Sequence, residues 1–315
     1  MNNVTIIRPH SREEWLEIRK SGIGSSEVAT IVGLNPWETP YQLWRRKKGI
    51  DDAKEENFAM KAGHFLEDAV AQMWQDATGR EVIKRSSIDW IIRDNDRPYL
   101  QVSPDRTFWL GDSRSPNDKG ILEIKTTRTK VDSEDLPKYW FCQVQYQLGV
   151  AGYDQGSLAW LSGNQGFDFG YMNLKFVPEF YEWIVEEVSR FWVDCVLGDK
   201  EPLVLSSKDI LLKYNRHTDG KYLECSDEIY DTYVELKNVK KEIDLLEERQ
   251  EALEEQIKRF FGDAEGLSYG GETIATWKAP KPSLKFDAKA FQKEHPDIAK
   301  PYLQPYQGSR RFLLK

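Results

Sequence analysis

The stretch from Glu81 to Lys125 constrains the fold most. Before it, apolar residues recur at helical spacing. Within it they fall into short runs: Val82 to Lys84, Ile88 to Ile92, Tyr99 to Val102, Thr107 to Leu110 and Ile121 to Lys125. Clusters of Asp, Asn, Gly and Pro separate these runs, the pattern of strands joined by turns. The preceding segments read as helices. Ser11 and Glu14 form an S-x-x-E capping pattern ahead of a helix running through Trp15 to Lys20. Gly22 and Gly24 break the chain, and Ser25-Ser26-Glu27 opens a second short helix ending near Gly33. Thr39 caps a third over Tyr41 to Lys48, with Pro40 at its first turn. A longer helix covers Phe58 to Thr78 and stops at Gly79. Beyond the strands, a helix is expected over Pro137 to Val150, strands near Ser157–Leu161 and Phe169–Phe176, and a helix from Pro178 to Leu197. This order predicts an α/β fold with a mixed central sheet flanked by helices.

The core is expected to occupy residues 1–200, followed by a polar connection over 201–224. Residues 225–262 form a long heptad helix. Ile229, Leu236, Ile243 and Ile257 share one heptad position, interrupted by Gln250, and Val239, Leu246, Leu253 and Phe260 share the other, interrupted by Thr232. Such a helix either folds back on its own domain or offers a subunit or partner contact. Residues 263–315 read as a small α+β tail, with strands over Thr273–Lys278 and Arg311–Leu314 around a helix near Ala288–Glu294. Arg310, Arg311 and Lys315 make this end basic enough to touch DNA. No apolar run approaches the roughly 18–20 residues that span a bilayer, and Met1 to His10 lack a signal-peptide core. The expectation is a cytoplasmic protein without membrane contact.

Composition narrows the chemistry. Cys142, Cys195 and Cys225 are widely spaced with no CxxC pair, and no two of His10, His64, His217 and His295 lie at ligand spacing. Any catalytic metal is therefore expected to be a hard cation held by carboxylates. The net charge of −8 is unusual for a protein that binds phosphates, but much of the acid lies in the heptad stretch, which leaves room for a local basic groove. Of the eleven tryptophans, Trp37, Trp44, Trp74, Trp109, Trp140 and Trp160 have the chemistry to stack on bases, although burial in the core is the commoner use.

The chemistry-bearing feature is Ser103-Pro104-Asp105, followed by Glu123-Ile124-Lys125. On a strand, positions i and i+2 share a face, so Glu123 and Lys125 project together. A turn at Pro104-Asp105 would bring a second carboxylate beside Glu123. With the Ile124 carbonyl these groups make an oxygen-rich site suited to Mg²⁺, with Mn²⁺ as a substitute. Lys125 would orient the attacking hydroxide or stabilise the phosphorane. An E-x-K triplet is expected about once by chance in a chain of this length, and most are solvated pairs. Here the triplet sits in an apolar strand, where ionised groups are costly unless they pair or bind a metal.

Taken in order, Ser103-Pro104-Asp105, Glu123-x-Lys125 and Cys142-Gln143-Val144-Gln145-Tyr146 resemble the PD-(D/E)XK nucleases, which have a restriction-endonuclease-like core. More narrowly, the chain is similar to the lambda-exonuclease/YqaJ-like viral recombinase family. Arg19 with Gly22-Ile23-Gly24-Ser25-Ser26-Glu27-Val28, the segment Trp37 to Leu43, and Gly63-His64-Phe65-Leu66-Glu67 match its other motifs, so the likeness spans roughly residues 10 to 195. The C-terminal third looks like the extension of YqaJ-like phage nucleases. The resemblance implies that Asp105 and Glu123 are metal ligands, with Ile124 supplying its carbonyl, and that Lys125 is the catalytic lysine. It also implies that Glu67 reaches the active site to contact the metal or its water. Gln143 and Tyr146, with Gln145 between them, would support the site from behind. Arg19 and Ser26, with Ser25, would bind the terminal 5′-phosphate.

The implied activity is metal-dependent 5′-to-3′ digestion of one strand from double-stranded DNA ends. This would leave a 3′ overhang for a single-strand annealing recombination protein, and the enzyme would be a ring-shaped homo-trimer. Two alternatives stay open: an endonuclease built on the same residues, and a nuclease-like binding or scaffolding protein acting through its coiled coil.

Overall fold

The computed structural model describes residues 3–52, 57–83, 90–112, 114–115, 118–163, 166–304 and 308–314. The chain divides into two compact units, Met1–Lys213 and Tyr214–Lys315. The first begins with strand β1 (Val4–Ile7) and helices α1 (Arg12–Lys20), α2 (Ser25–Ile31), α3 (Pro40–Lys47) and α4 (Phe58–Thr78). Strands β2 (Val82–Ile83), β3 (Ile91–Asp94), β4 (Gln101–Val102), β5 (Arg106–Trp109) and β6 (Lys119–Thr127) follow. Helix α5 (Lys138–Ala151), strands β7 (Gln155–Ser162) and β8 (Asp168–Lys175), and helices α6 (Pro178–Arg190) and α7 (Ser207–Lys213) complete the unit. The expected strand residues Lys84 and Ile88 lie outside the described residues, as does Lys315.

The helices begin where the chain provides side-chain acceptors. Ser11 accepts from the Glu14 amide, Thr39 from the Gln42 amide and Asn57 from the Met60 amide. Helix α4 ends at Gly79, whose φ of 70° suits a residue without a Cβ. At α2 the N-cap is Gly24, which places Ser25 and Ser26 inside the first turn and leaves their hydroxyls for other partners.

The main sheet is mixed, with strand order β2-β5-β6-β7-β8. Only the β6–β7 pair is parallel. A parallel pair needs a crossover, and α5 supplies it. Alternation along β6 then divides the core. Leu122 and Ile124 pack with Val70, Ala71 and Trp74 of α4 on one face. Ile121, with Leu158 and Trp160 of β7, packs against Val144 and Leu148 of α5 on the other. A second, antiparallel sheet orders β1-β3-β4.

In this unit three elements differ from the sequence reading. Strand β1 was not expected; it pairs with β3, far along the chain, so no local pattern marks it. The helix expected to run unbroken from Pro178 to Leu197 becomes a π-helix over Phe191–Leu197. The polar connection holds α7, and its Asp209 is fully buried. Asp209 accepts hydrogen bonds from Thr39, Gln42 and the amides of Leu205 and Ser206, which fastens this stretch to α3. Trp44, Trp74, Trp140 and Trp160 are core residues, whereas Trp37 is 67% exposed. Cys142 and Cys195 are buried free thiols, and burial pushes Cys142 up to about 12.

The second unit contains helix α8 (Asp227–Phe261), strands β9 (Gly266–Tyr269) and β10 (Glu272–Thr276), and helices α9 (Ala288–Glu294) and α10 (Pro296–Ala299). Along α8 the heptad residues Ile229, Ile243, Leu246 and Leu253 are exposed, while Phe261 is buried against Trp277. Gly270 and Gly271 turn the β9–β10 hairpin with positive φ. The strand expected over Arg311–Leu314 does not form, and these residues have no strand partner among the described residues. No helix among the described residues is long and apolar enough to cross a membrane.

Candidate active site

Strand β6 builds the centre of the site because its pairing with β5 ends early. Arg106 opposite Leu122 is the last matched pair on that side. Past it the chain turns, and Asp105 takes the place of a strand partner. Its Oδ2 accepts the Ile124 amide hydrogen bond at 2.7 Å. In an extended strand the N–H and C=O of one residue point to the same edge, so the Ile124 carbonyl leaves β6 on the Asp105 side.

Glu123 and Lys125 share the opposite face of β6, toward α5. Glu123 is 1% exposed, a burial that requires partners. Its Oε1 accepts from Lys125 Nζ at 2.7 Å and from Gln143 Nε2. Its Oε2 accepts from Gln147 Nε2 at 2.7 Å. Lys125 Nζ also donates to Gln143 Oε1 at 2.9 Å. Gln143 and Gln147 stand one helical turn apart, where side chains share a face, and together they hold both carboxylate oxygens of Glu123.

The electrostatics of this cluster are lopsided. Burial, and next the charges of Glu123 and Glu67, push the Asp105 carboxyl well above the usual carboxylate range. Burial works against the charge on Lys125, but Glu123 and Asp105 outweigh it and hold the ammonium's pKa up. One lysine therefore faces several carboxylates. Glu67, from α4, is itself held: His64 Nδ1 lies 2.9 Å from Oε1, and Arg106 donates to Oε2 at 3.3 Å. Arg106 also binds Asp68 and the Asp105 carbonyl, so it braces the turn that carries Asp105.

The second half of the site is the α1–α2 corner. A Cβ at Gly22 would stand 2.6 Å from the Tyr99 carbonyl oxygen, and one at Gly24 would stand 2.6 Å from the Arg19 guanidinium. The backbone contact requires glycine at Gly22, while at Gly24 a side chain would displace the Arg19 guanidinium. Arg19 donates to Ser26 Oγ at 3.1 Å. Behind it, Glu27 accepts from the Gly24 amide and pairs with Lys47 at 2.8 Å, and Lys47 in turn donates to the Gly22 carbonyl. Burial opposes the Glu27 charge, yet Lys47 and Arg19 hold its pKa below the ordinary value. Ser25 is buried and accepts from Gln147 Nε2, the same nitrogen that binds Glu123. Gln147 therefore ties this corner directly to the carboxylate cluster.

A single cavity of about 330 Å³ is lined by Arg19, Ser26, Glu67, Asp105, Glu123 and Lys125. Tyr146 is buried behind it and donates to the Ile23 carbonyl at 3.1 Å. Gln145 does not join the site, contrary to expectation. Its amide binds the Lys175 carbonyl and the Val177 amide, at the junction of β8 and α6. Two residues from Gln143, it points to the other side of α5, and Gln147 fills the supporting role. Sequence reasoning gave His64 no role of its own and passed over Arg106.

The donors fit a hard divalent cation in their chemistry: two carboxylates and a main-chain carbonyl, with burial and then the neighbouring carboxylates raising Asp105. Among the described residues, no group of three or more His, Cys, Asp or Glu side chains stands arranged to hold an ion. The fit therefore rests on Asp105, Glu123 and the Ile124 carbonyl.

Residues 14–154 match the model of the YqaJ-like viral recombinase domain. The uncharacterized protein YqaJ of Bacillus subtilis (strain 168) is 31% identical over 299 residues, covering 91% of this chain and 89% of that protein. Among solved structures, the alkaline exonuclease LHK-Exo of Laribacter hongkongensis is 20% identical, with a TM-score of 0.47 over 58% of this chain and 92% of that one. A phage-related exonuclease of Haemophilus somnus 129PT is 14% identical, with a TM-score of 0.40 over 56% and 94%. With a relative this similar aligned along nearly the whole of both chains, and the domain model covering the strands and helices that line the cavity, the chain belongs to the YqaJ-like viral recombinase family.

Proposed function

We propose that this protein is a metal-dependent DNA exonuclease that digests one strand of double-stranded DNA from its 5′ end. The observation that supports this most is the sharing of one cavity by two chemistries: the Asp105, Glu123 and Lys125 cluster, and the Arg19–Ser26 pair. The first suits hydrolysis of a phosphodiester. The second suits an anion, and a terminal phosphate is the anion that an exonuclease must find.

Asp105, Glu123 and the Ile124 carbonyl would hold Mg²⁺ or Mn²⁺, which supplies Lewis-acid polarisation of the phosphate and of the attacking water. The protein groups do the rest. Lys125, kept charged by Glu123 and Asp105, lies where it orients the nucleophile and offsets charge building on the phosphate oxygens. Gln143 and Gln147 fix the Glu123 carboxylate so that its geometry survives substrate entry. Glu67 adds a carboxylate at the cavity wall to receive a proton or a water. In the reaction, water oxygen bonds to phosphorus, the P–O3′ bond breaks, and a proton reaches the leaving oxygen. A 5′-phosphorylated mononucleotide is released and a new 5′-phosphate is left for Arg19 and Ser26.

Digestion of this kind leaves a 3′ single strand, the substrate of a strand-annealing protein, which agrees with a recombinase family. The expected trimeric ring belongs to the same proposal. The test is incubation with linear duplex labelled at either the 5′ or the 3′ end, beside a covalently closed circle. Early loss of the 5′ label with an intact circle supports the proposal. Cutting of the circle would replace it with an endonuclease.

A further inference from the structure

The α1 face toward the cavity carries a second cation that the catalytic and end-binding assignments leave unused. Arg12, Trp15 and Arg19 recur at helical spacing on α1, and all three line the cavity. The Arg12 guanidinium carbon lies 3.9 Å from the centroid of the Trp15 ring and that of Arg19 lies 4.6 Å from it. The two guanidiniums therefore lie no farther apart than the sum of those distances, and both arginines line the cavity that also holds Ser26.

Trp15 is a fixed platform for both. It is 5% exposed, and its indole N–H donates to Ser103 Oγ, which donates in turn to the Trp90 carbonyl. Ser103 is two residues before Asp105, so the platform is anchored to the segment that carries a catalytic carboxylate. The two arginines differ in what surrounds them. Arg19 already binds Ser26, and its charge lowers the pKa of the buried Glu27. Arg12 is exposed and stacks on the Trp15 ring. Stacking on an indole leaves the edge donors of a guanidinium available.

The geometry points to Arg12 as the second guanidinium of the strand-end subsite, selecting the terminal phosphate monoester over an internal phosphodiester. A monoester carries about −1.5 to −2 charges near neutral pH, whereas a diester carries one. One partly compensated arginine suits either ligand. Two arginines held on one indole match the extra charge of the monoester. This inference rests on the proposed end-directed activity only for its biological sense, because its test needs no turnover.

The experiment measures binding of a hairpin duplex with a 5′-phosphate or a 5′-hydroxyl end, in EDTA, by fluorescence anisotropy across a salt series. Wild type is expected to prefer the phosphorylated end. Arg12→Gln is expected to weaken binding to that end by about tenfold, the scale of one charge-assisted contact, and to lower its salt slope by about one. The 5′-hydroxyl duplex should be affected far less. Arg12→Lys, which keeps the charge but not the planar fork, should fall between the two. Equal weakening toward both ends would overturn the inference, as would no change or the lack of a wild-type preference. A protein that shows this pattern but never digests DNA would keep the inference and lose the hydrolytic reading. One that digests DNA without end preference would do the reverse.

Discussion

Asp105 stands in for a strand partner of Ile124: its carboxylate accepts the amide hydrogen bond at 2.7 Å where β5 has already turned away. One bond thus fixes the carboxylate proposed to hold the metal and aims the Ile124 carbonyl at the same cavity.

Asp105→Asn separates these two roles. Asparagine keeps an acceptor for the Ile124 amide but removes the charge that a cation needs. The variant should fold with a melting temperature close to wild type while nuclease activity falls by about a hundredfold or more. Calorimetry beside a gel-based digestion assay reads both quantities. Retained activity would remove Asp105 from the metal site.

The α5 glutamines give a paired test. Gln147→Ala removes a donor to Glu123 and to Ser25 and should lower activity by about 10- to 100-fold. Gln145→Ala breaks two bonds at the β8–α6 junction instead, so it should cost about 1–3 kcal/mol of stability. Its specific activity should stay near wild type at a temperature where it is folded. The opposite pattern would exchange their roles.

Asp209 controls acid stability. Burial opposes its charge, but hydrogen bonds from Gln42, the Leu205 amide, Thr39 and Ser206 hold its pKa below the ordinary value. A group depressed in the folded state stabilises fully above its unfolded pKa, about 3.9. That contribution is lost as pH falls through the lower, folded value. Asp209→Ala should therefore destabilise by about 3 kcal/mol at neutral pH, because it strands buried donors. The deficit relative to wild type should shrink in acid. Urea melts at neutral pH and near pH 3 measure the difference, and a deficit that does not change with pH would contradict this role.

Much of the candidate site was legible because local chemistry writes it. The Glu123-x-Lys125 spacing within an apolar strand, the caps at Ser11 and Thr39, and the stop at Gly79 are all short-range signals. Strand β1 was not legible, since its partner β3 lies some ninety residues away and four half-exposed residues carry no periodic signal. Arg311–Leu314 failed in the opposite sense: it has the composition of a strand, but a strand also needs a neighbour. Gln147 was hidden by choice of neighbour rather than by lack of signal. Helical spacing pairs Gln143 with the residue four ahead, not two, and a buried Glu123 needs donors for both oxygens. The supports at Arg106 and His64 depend on how α4 lies beside the Asp105 turn, which no local pattern encodes.

The most direct measurement is nucleotide release from linear duplex DNA in Mg²⁺ and in EDTA, by wild type and by Lys125→Ala. Hydrolysis at this site predicts release by wild type in Mg²⁺ only, with loss of about a thousandfold or more in the variant, since Lys125 contacts both Glu123 and Gln143 and faces the cavity. Release that persists in EDTA, or equal rates for the two proteins, would contradict it.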